Sequence, residues 1–158
     1  MINVQQLREL IIRPTLKDLK MYCEDAEELL VFTCAVESLG GTYLQQIKGP
    51  ALGIYQMEPE TYYDIRLHFI PNQNQLKTIL YVQFGLGGYP HSEEYRLVYD
   101  LRFATAMARI HYARIPQSLP SANDTQAVWD YYKAYYNTHR GGAQQNESIQ
   151  KYHSYLNS

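Results

Sequence analysis

The sequence predicts a mostly α-helical protein that forms a single domain over residues 1–158. Apolar residues recur at intervals of three and four along most segments, which is typical of helices with one buried face. Residues that favour helix starts and helix ends flank these segments. A length of 158 residues suits one domain, and 46% apolar residues can form a core without disulfides.

A short helix and a longer helix are predicted within the first 41 residues. Residues 3–12 indicate a short helix that Pro14 interrupts. The segment "CEDAEELLVFTCAVESLGG" has acidic residues in its first turn and ends at Gly40-Gly41, as expected for a helix dipole and C-cap. Its apolar stripe, counted back from Glu37 in steps of three and four, consists of Ala26, Leu29, Leu30, Thr33 and Cys34. Glu37 is therefore expected on the buried face, near the helix end.

The later segments continue the helical pattern after a loop over residues 42–55. "EPETYYDIRLHFI" has Pro59 at an early helical position and is ended by Pro71. "NQNQLKTILYVQFG" fits a helix or a strand, and we expect a helix. The clearest predicted helix covers residues 91–116 and is capped by Ser92. Its apolar face consists of Leu97, Leu101, Ala104 and Ala108. Two more helices are expected over 121–137 and 147–156.

Composition argues against several classes of protein. The net charge of −2 gives no basic surface for nucleic acid, and no apolar run is long enough to insert in a membrane. Cys23 and Cys34 are too few for a disulfide framework. The N-terminus lacks the pattern of a signal peptide. No metal site or cofactor is expected, because no phosphate-binding loop is present and the histidines lack zinc-ligand spacing. These histidines are His68, His91, His111, His139 and His153.

Tyrosine is abundant, with 16 residues against 4 phenylalanines. A tyrosine ring buries apolar surface while its hydroxyl can face a cleft. Carbohydrate clefts often use such rings for stacking on sugars. A core that prefers tyrosine explains the count equally well, so both interpretations stay open.

Glu37 is a candidate general acid. Cleavage of a glycosidic bond needs a carboxylic acid that is still protonated near neutral pH. Glutamate has an ordinary pKa of about 4.3, and burial raises it. A carboxyl at the apolar end of a helix, beside a cleft, meets this requirement. Spacing alone also fits an ordinary helix-end salt bridge.

Three short elements and one longer helical segment resemble the lytic transglycosylase and goose-type lysozyme families. Glu37-Ser38 matches their catalytic Glu-Ser pair. "GPALGIYQMEP" resembles their Gly-Ala-x-Gly-Leu-x-Gln segment, with an extra Pro50. "AYYNTHRGGA" resembles their Ala-Tyr-Asn-Ala-Gly-x-Gly element, although Thr138-His139 departs from it. "YDLRFATAMARIHYARI" resembles the helix beneath their cleft. The resemblance implies a lysozyme-like fold with a helical core and a substrate cleft.

The resemblance also implies roles for individual residues. Glu37 would be the general acid and base of a peptidoglycan-cleaving enzyme without cofactor, and Tyr136 would orient its carboxyl. Tyr135 is the alternative if the register shifts by one residue. The substrate-binding candidates are Ser38, Gly53, Gln56 and Asn137. For two of these an alternative stays open: Ser38 could cap the helix end, and Asn137 could hold a loop.

Glu58 distinguishes two mechanisms within this resemblance. It lies two residues after Gln56, where goose-type lysozymes have an aspartate. A second carboxylate roughly 6.5–9.5 Å from the first could activate water, whereas lytic transglycosylases use the sugar's own 6-hydroxyl. "MEPET" also reads as an acidic helix start, in which Glu58 only complements the dipole. Asp64 is a further candidate for the second carboxylate.

The expected substrate is the peptidoglycan glycan strand, cut between N-acetylmuramic acid and N-acetylglucosamine. The overall pattern resembles phage-encoded, virion-associated wall hydrolases. Such a protein would be carried by the virion or delivered to the bacterial periplasm, where other virion proteins could be its partners. Two alternatives remain: a non-catalytic structural or adaptor protein of the virion that keeps the fold, and an unrelated helical interaction domain.

Overall fold

The computed structural model describes residues 1–88, 92–138 and 141–158, and it confirms the mostly α-helical fold class. Within these ranges no strand forms, and β pairing is limited to isolated antiparallel bridges of Leu52 with Gln45 and with Met57. None of the helices in the described ranges is both long and apolar enough to cross a membrane. The fold therefore depends on the packing of helices.

Helix α1 is one uninterrupted helical run made of Val4–Gln6, Leu7–Ile12 and Arg13–Asp18. The prediction that Pro14 interrupts it was wrong. The middle part widens into a π-helix, in which the Arg13 amide donates to the carbonyl of Arg8, five residues earlier. Pro14 lacks an N–H, and it directly follows the π-helical part, in which the regular spacing of the backbone hydrogen bonds is already altered.

Helix α2, Glu24–Ser38, is the centre of the protein and packs against α1 and three later helices. Its predicted apolar stripe is buried throughout. The acidic first turn is present, and the helix ends where Leu39, Gly40 and Gly41 adopt left-handed backbone angles with φ of 51°, 62° and 78°. These turns lead the chain away from α2 directly after Glu37, which leaves that side chain at the edge of the core.

Residues 42–58 form a loop, which includes and extends the one predicted over 42–55. The helical segment that follows, α3, comprises Pro59–Asp64, a π-turn Ile65–Phe69 and a 3-10 turn Ile70–Asn72. Pro59 occupies its first turn, as predicted. Helix α4 spans Asn74–Gln83, so the ambiguous segment is a helix.

The long helix predicted over 91–116 is divided. Its first residue, His91, lies outside the described residues. Helix α5 comprises Glu93–Tyr95 and Arg96–Tyr99, and α6 spans Leu101–Ala113. Asp100 adopts an extended conformation between them, and its carboxylate accepts a hydrogen bond of 2.9 Å from the Phe103 amide, as an N-cap does. Ser92 makes no side-chain cap, contrary to the prediction.

The last two helices pack on α2 and on each other. Helix α7 comprises Thr125–Tyr132 and a π-turn Lys133–Asn137, and it is capped by Asp124. Helix α8 spans Gln145–Leu156. Because α7 packs on α2, Tyr132 lies beside Glu37.

Candidate active site

A cleft of about 600 Å³ lies where the end of α2, the 46–58 loop, the end of α6 and the segment after α7 meet. Polar side chains dominate its wall. The lining residues used below are Glu37, Gln56, Glu58, His111, Tyr136 and Asn137. The structure therefore brings five of the seven predicted site residues to one surface and adds His111, while Ser38 and Gly53 are not part of the lining.

Glu37 is partly buried at the inner edge of this cleft, in the last turn of α2. Its Oε1 accepts a hydrogen bond of 2.6 Å from the Tyr132 hydroxyl. Burial raises the pKa of the carboxyl, and the hydrogen bonds from Tyr132 and Asn137 oppose that rise only in part. A carboxyl whose pKa is raised by desolvation and which borders an open cleft can deliver a proton.

The predicted role of Tyr136 needs a correction. Its hydroxyl donates to the backbone carbonyl of Tyr55 at 2.7 Å, so the orienting hydrogen bond to Glu37 comes from Tyr132 instead. Tyr135, the predicted alternative, packs edge-on against Tyr131. Tyr132 and Tyr136 lie one helical turn apart and stack at 6.2 Å between ring centroids. The spacing of four residues was the signal that could have pointed to Tyr132.

Ser38 is a structural residue, which corrects its place among the substrate-binding candidates. Its side chain is fully buried, and its hydroxyl donates to the carbonyl of Ile54 at 2.7 Å. The same oxygen accepts from the Gly41 amide at 2.8 Å. Ser38 therefore ties the end of α2 to the loop below the cleft and caps the helix end, which was the alternative role.

Gly53 is also structural. Its amide donates to the carbonyl of Leu44, and its carbonyl accepts from the backbone and side-chain amides of Gln56. Both backbone groups are therefore already paired, so they do not bind substrate as predicted. The residue has φ of +74°, and an added Cβ would overlap the carbonyl oxygen of Leu97. Glycine permits this turn to lie directly on α5.

Gln56 and Glu58 lie on the loop side of the cleft. Gln56 adopts a left-handed backbone with φ of 47°, and its side-chain amide donates to Gly53 at 2.8 Å. Its side-chain oxygen accepts no hydrogen bond from the described residues and can accept one from a ligand. Glu58 is exposed at the N-cap of α3 without capping it through its side chain, and it also lines the cleft. Both predicted roles of Glu58 fit this position.

Asn137 holds the loop at the end of α7. Its side-chain oxygen accepts from the Lys133 ammonium at 2.7 Å, and the same ammonium donates to the carbonyl of Gly141 at 2.8 Å. The Asn137 side chain also lowers the pKa of Glu37, against the larger effect of burial. Of the two roles considered, the loop-holding one matches these contacts, and they join the loop to the candidate acid.

Asp64 is not a second carboxylate of the cleft. It lies outside the lining residues and forms an ion pair with Arg114 at 2.6 Å and a hydrogen bond with His68 at 3.1 Å. The hydrogen bond from Arg114 lowers the pKa of Asp64. Arg114 in turn contacts His111 at 2.6 Å. His111 was not predicted as a cleft residue, because only the packing of α6 against the end of α7 brings it there.

Metal ligands are not clustered in the described residues. Among residues 1–88, 92–138 and 141–158, no group of three or more histidine, cysteine, aspartate or glutamate side chains could hold a metal ion. His91 and His139, two of the five histidines considered, lie outside these ranges. Cys34 is buried, as expected, and Cys23 is exposed.

Comparison with models of protein families, with curated proteins and with solved structures found no match to this chain. The class that the structure establishes is a mostly α-helical protein with a polar cleft and a buried carboxyl at its edge. Any more specific assignment depends on the geometry of the site and the short sequence elements.

Proposed function

We propose that the protein is a peptidoglycan-cleaving glycosidase, with Glu37 as the general acid and base. The observation that carries this proposal is the Glu37 carboxyl itself: burial raises its pKa, Tyr132 fixes its orientation, and it borders a cleft of about 600 Å³. A general acid for glycosidic cleavage needs these properties.

The proposed reaction breaks the bond between C1 of N-acetylmuramic acid and the oxygen that links it to N-acetylglucosamine. Glu37 gives its proton to that oxygen, which leaves with the bonding electrons. Water or the sugar's own 6-hydroxyl then attacks C1 and returns a proton to Glu37. Water gives a reducing sugar, and the 6-hydroxyl gives an anhydro sugar.

Two further features support a sugar as the ligand. The cleft is lined mainly by amide, carboxyl and hydroxyl groups, which suit the hydroxyls of a glycan. Tyr136 is part of the same wall and adds an aromatic residue to it. The resemblance of the Glu37-Ser38 and Gln56 elements to wall-cleaving families points to peptidoglycan among the possible glycans.

The experiment measures turbidity loss of purified cell walls, with mass spectrometry of the fragments. We expect the Glu37→Gln variant to fold and to lose activity by roughly 10²–10⁴-fold, the usual contribution of a general acid. Glu60→Gln is the matched control, because Glu60 is exposed in the first turn of α3 and does not line the cleft. Retention of most activity by Glu37→Gln would remove Glu37 from this role.

Glu58→Gln tests the reaction type in the same assay. A large rate loss, with reducing-end products from the unchanged protein, would identify Glu58 as a second carboxylate that activates water. An unchanged rate with anhydro products would identify it as a helix-start residue. No cleavage of any wall by the folded, unchanged protein would favour the non-catalytic virion protein.

A further inference from the structure

Three side chains, one on α3 and two at the end of α6, form a chain of contacts that ends in the cleft. The carboxylate of Asp64 on α3 accepts from Nη1 of Arg114 at 2.6 Å. Nη2 of the same guanidinium lies 2.6 Å from Nδ1 of His111, at the end of α6. The His111 ring packs edge-on against Tyr136, with 4.9 Å between ring centroids, and lines the cleft beside it.

The contact with Arg114 determines the tautomer of His111. A guanidinium carries only hydrogen-bond donors, so Nδ1 of His111 must be the acceptor. An imidazole that accepts at Nδ1 carries its proton on Nε2. Burial and the neighbouring positive charge of Arg114 lower the pKa of His111 to about 4, which keeps the ring neutral near pH 7.

The Nε2–H group is the remaining polar group of His111. It makes no hydrogen bond to the residues in the described ranges, whereas Nδ1 is held by Arg114. A polar group that lines a cleft without a protein partner is available to a ligand. A neutral N–H donor suits an uncharged oxygen acceptor, such as the carbonyl of an acetamido group or a sugar hydroxyl.

We propose that His111 is a substrate-binding residue that donates Nε2–H to an uncharged oxygen of an N-acetylated sugar, and that Arg114 and Asp64 are the positioning residues that hold it in this tautomer. The binding role rests on the proposed function, because it takes the cleft to be a glycan site. The tautomer itself follows from the contacts of Asp64, Arg114 and His111 and does not depend on catalysis.

The first experiment measures ¹⁵N chemical shifts of the imidazole nitrogens in the folded protein between pH 5 and pH 8. We expect His111 to remain neutral with its proton on Nε2. Arg114→Met removes the donor to Nδ1 and keeps a long side chain, so the preference for this tautomer should weaken. A His111 ring that is protonated on Nδ1, or that keeps its tautomer in the Arg114→Met variant, would overturn the positioning role.

The second experiment measures the affinity of tri-N-acetylchitotriose for the Glu37→Gln protein, which should bind the sugar without cleaving it. Adding His111→Phe keeps a ring but removes the donor, and we expect binding to weaken about tenfold, as for one lost hydrogen bond. Adding His111→Gln restores an N–H and should recover most of the affinity. Equal affinity in all three proteins would overturn the role of His111.

The outcomes separate this inference from the proposed function. If walls are cleaved and the reference protein binds the sugar, but the His111 variants bind it equally well, only the role of His111 is overturned. If the reference protein does not bind the sugar and walls are not cleaved, the sugar-binding role fails together with the proposed function. The tautomer measured by NMR stands or falls independently of both.

Discussion

Tyr132 and Tyr136 lie one turn apart on α7, and their hydroxyls have different partners. Tyr132 donates to Glu37 at 2.6 Å, whereas Tyr136 donates to the carbonyl of Tyr55 at 2.7 Å. The hydrogen bond from Tyr132 favours the ionised carboxylate and lowers the pKa of Glu37, against the larger opposing effect of burial. Substitution of each tyrosine by phenylalanine therefore tests two different functions.

We expect Tyr132→Phe to raise the pKa of Glu37 further and to move the alkaline limb of the activity profile to higher pH. The rate should fall by about tenfold, because the carboxyl loses the bond that orients it. Tyr136→Phe should lower the free energy of unfolding by about 1 kcal/mol and leave the alkaline limb in place. Activity measured against pH, with urea unfolding of both variants, checks this. If the alkaline limb of the Tyr132→Phe activity profile stays in place, Tyr132 is not the residue that lowers the pKa of Glu37.

The sequence predicted Glu37 as the buried acid but misassigned its tyrosine partner. Glu37 could be predicted because the helical period of α2 places it on the same stripe as the buried Thr33 and Cys34. The segment "YYKAYY" offers four tyrosines, and their directions depend on where α7 widens into the π-turn Lys133–Asn137. A regular helical period does not describe such a widening.

At the scale of whole elements, local chemistry predicted the existence of the helices better than their ends. Acidic first turns and the glycine pair located α2, because these signals act within one turn. The division between α5 and α6 was missed because Asp100 lies inside an otherwise regular apolar pattern. Its carboxylate caps α6 and also pairs with Arg96 at 2.9 Å. The apolar pattern of the sequence does not predict this pair.

The loop beneath the cleft should be intolerant of a side chain at Gly53. Both Gly53 and Gly85 have left-handed backbones, with φ of 74° and 62°. An alanine Cβ at Gly53 would overlap the Leu97 carbonyl, whereas at Gly85 it meets no atom within 4 Å. We expect Gly85→Ala to cost about 1–2 kcal/mol of unfolding free energy, from backbone strain alone. Gly53→Ala should cost more, because α5 must also move.

Urea unfolding of the two variants, read by circular dichroism, checks this prediction. Gly85→Ala serves as the matched control, since it introduces the same strain without the steric overlap. Equal destabilisation by the two substitutions would show that the 46–58 loop can shift away from α5. In that case the loop would not be a rigid wall of the cleft.

The burial of the Glu37 carboxyl makes the stability of the whole protein depend on pH. The pKa of Glu37 is raised in the folded protein above its ordinary value, chiefly by desolvation. The folded state therefore holds this proton more tightly than the unfolded chain does. The contribution of Glu37 to stability is present at low pH and is lost as the pH rises through the raised pKa. Glutamine cannot ionise, so Glu37→Gln avoids this loss.

We expect Glu37→Gln to be more stable than the unchanged protein at pH 8, with a difference that shrinks towards pH 4. His111 acts in the opposite direction: its pKa is about 4 in the folded protein against an ordinary 6.5, so acid destabilises both proteins. The contribution of His111 cancels when the two proteins are compared at each pH. Thermal unfolding across this range, with Glu60→Gln as the exposed control, measures the difference. The difference in stability could instead be independent of pH, or could favour the unchanged protein at pH 8. Either result would show that burial does not hold Glu37 protonated, and the proposed acid would lose its physical basis.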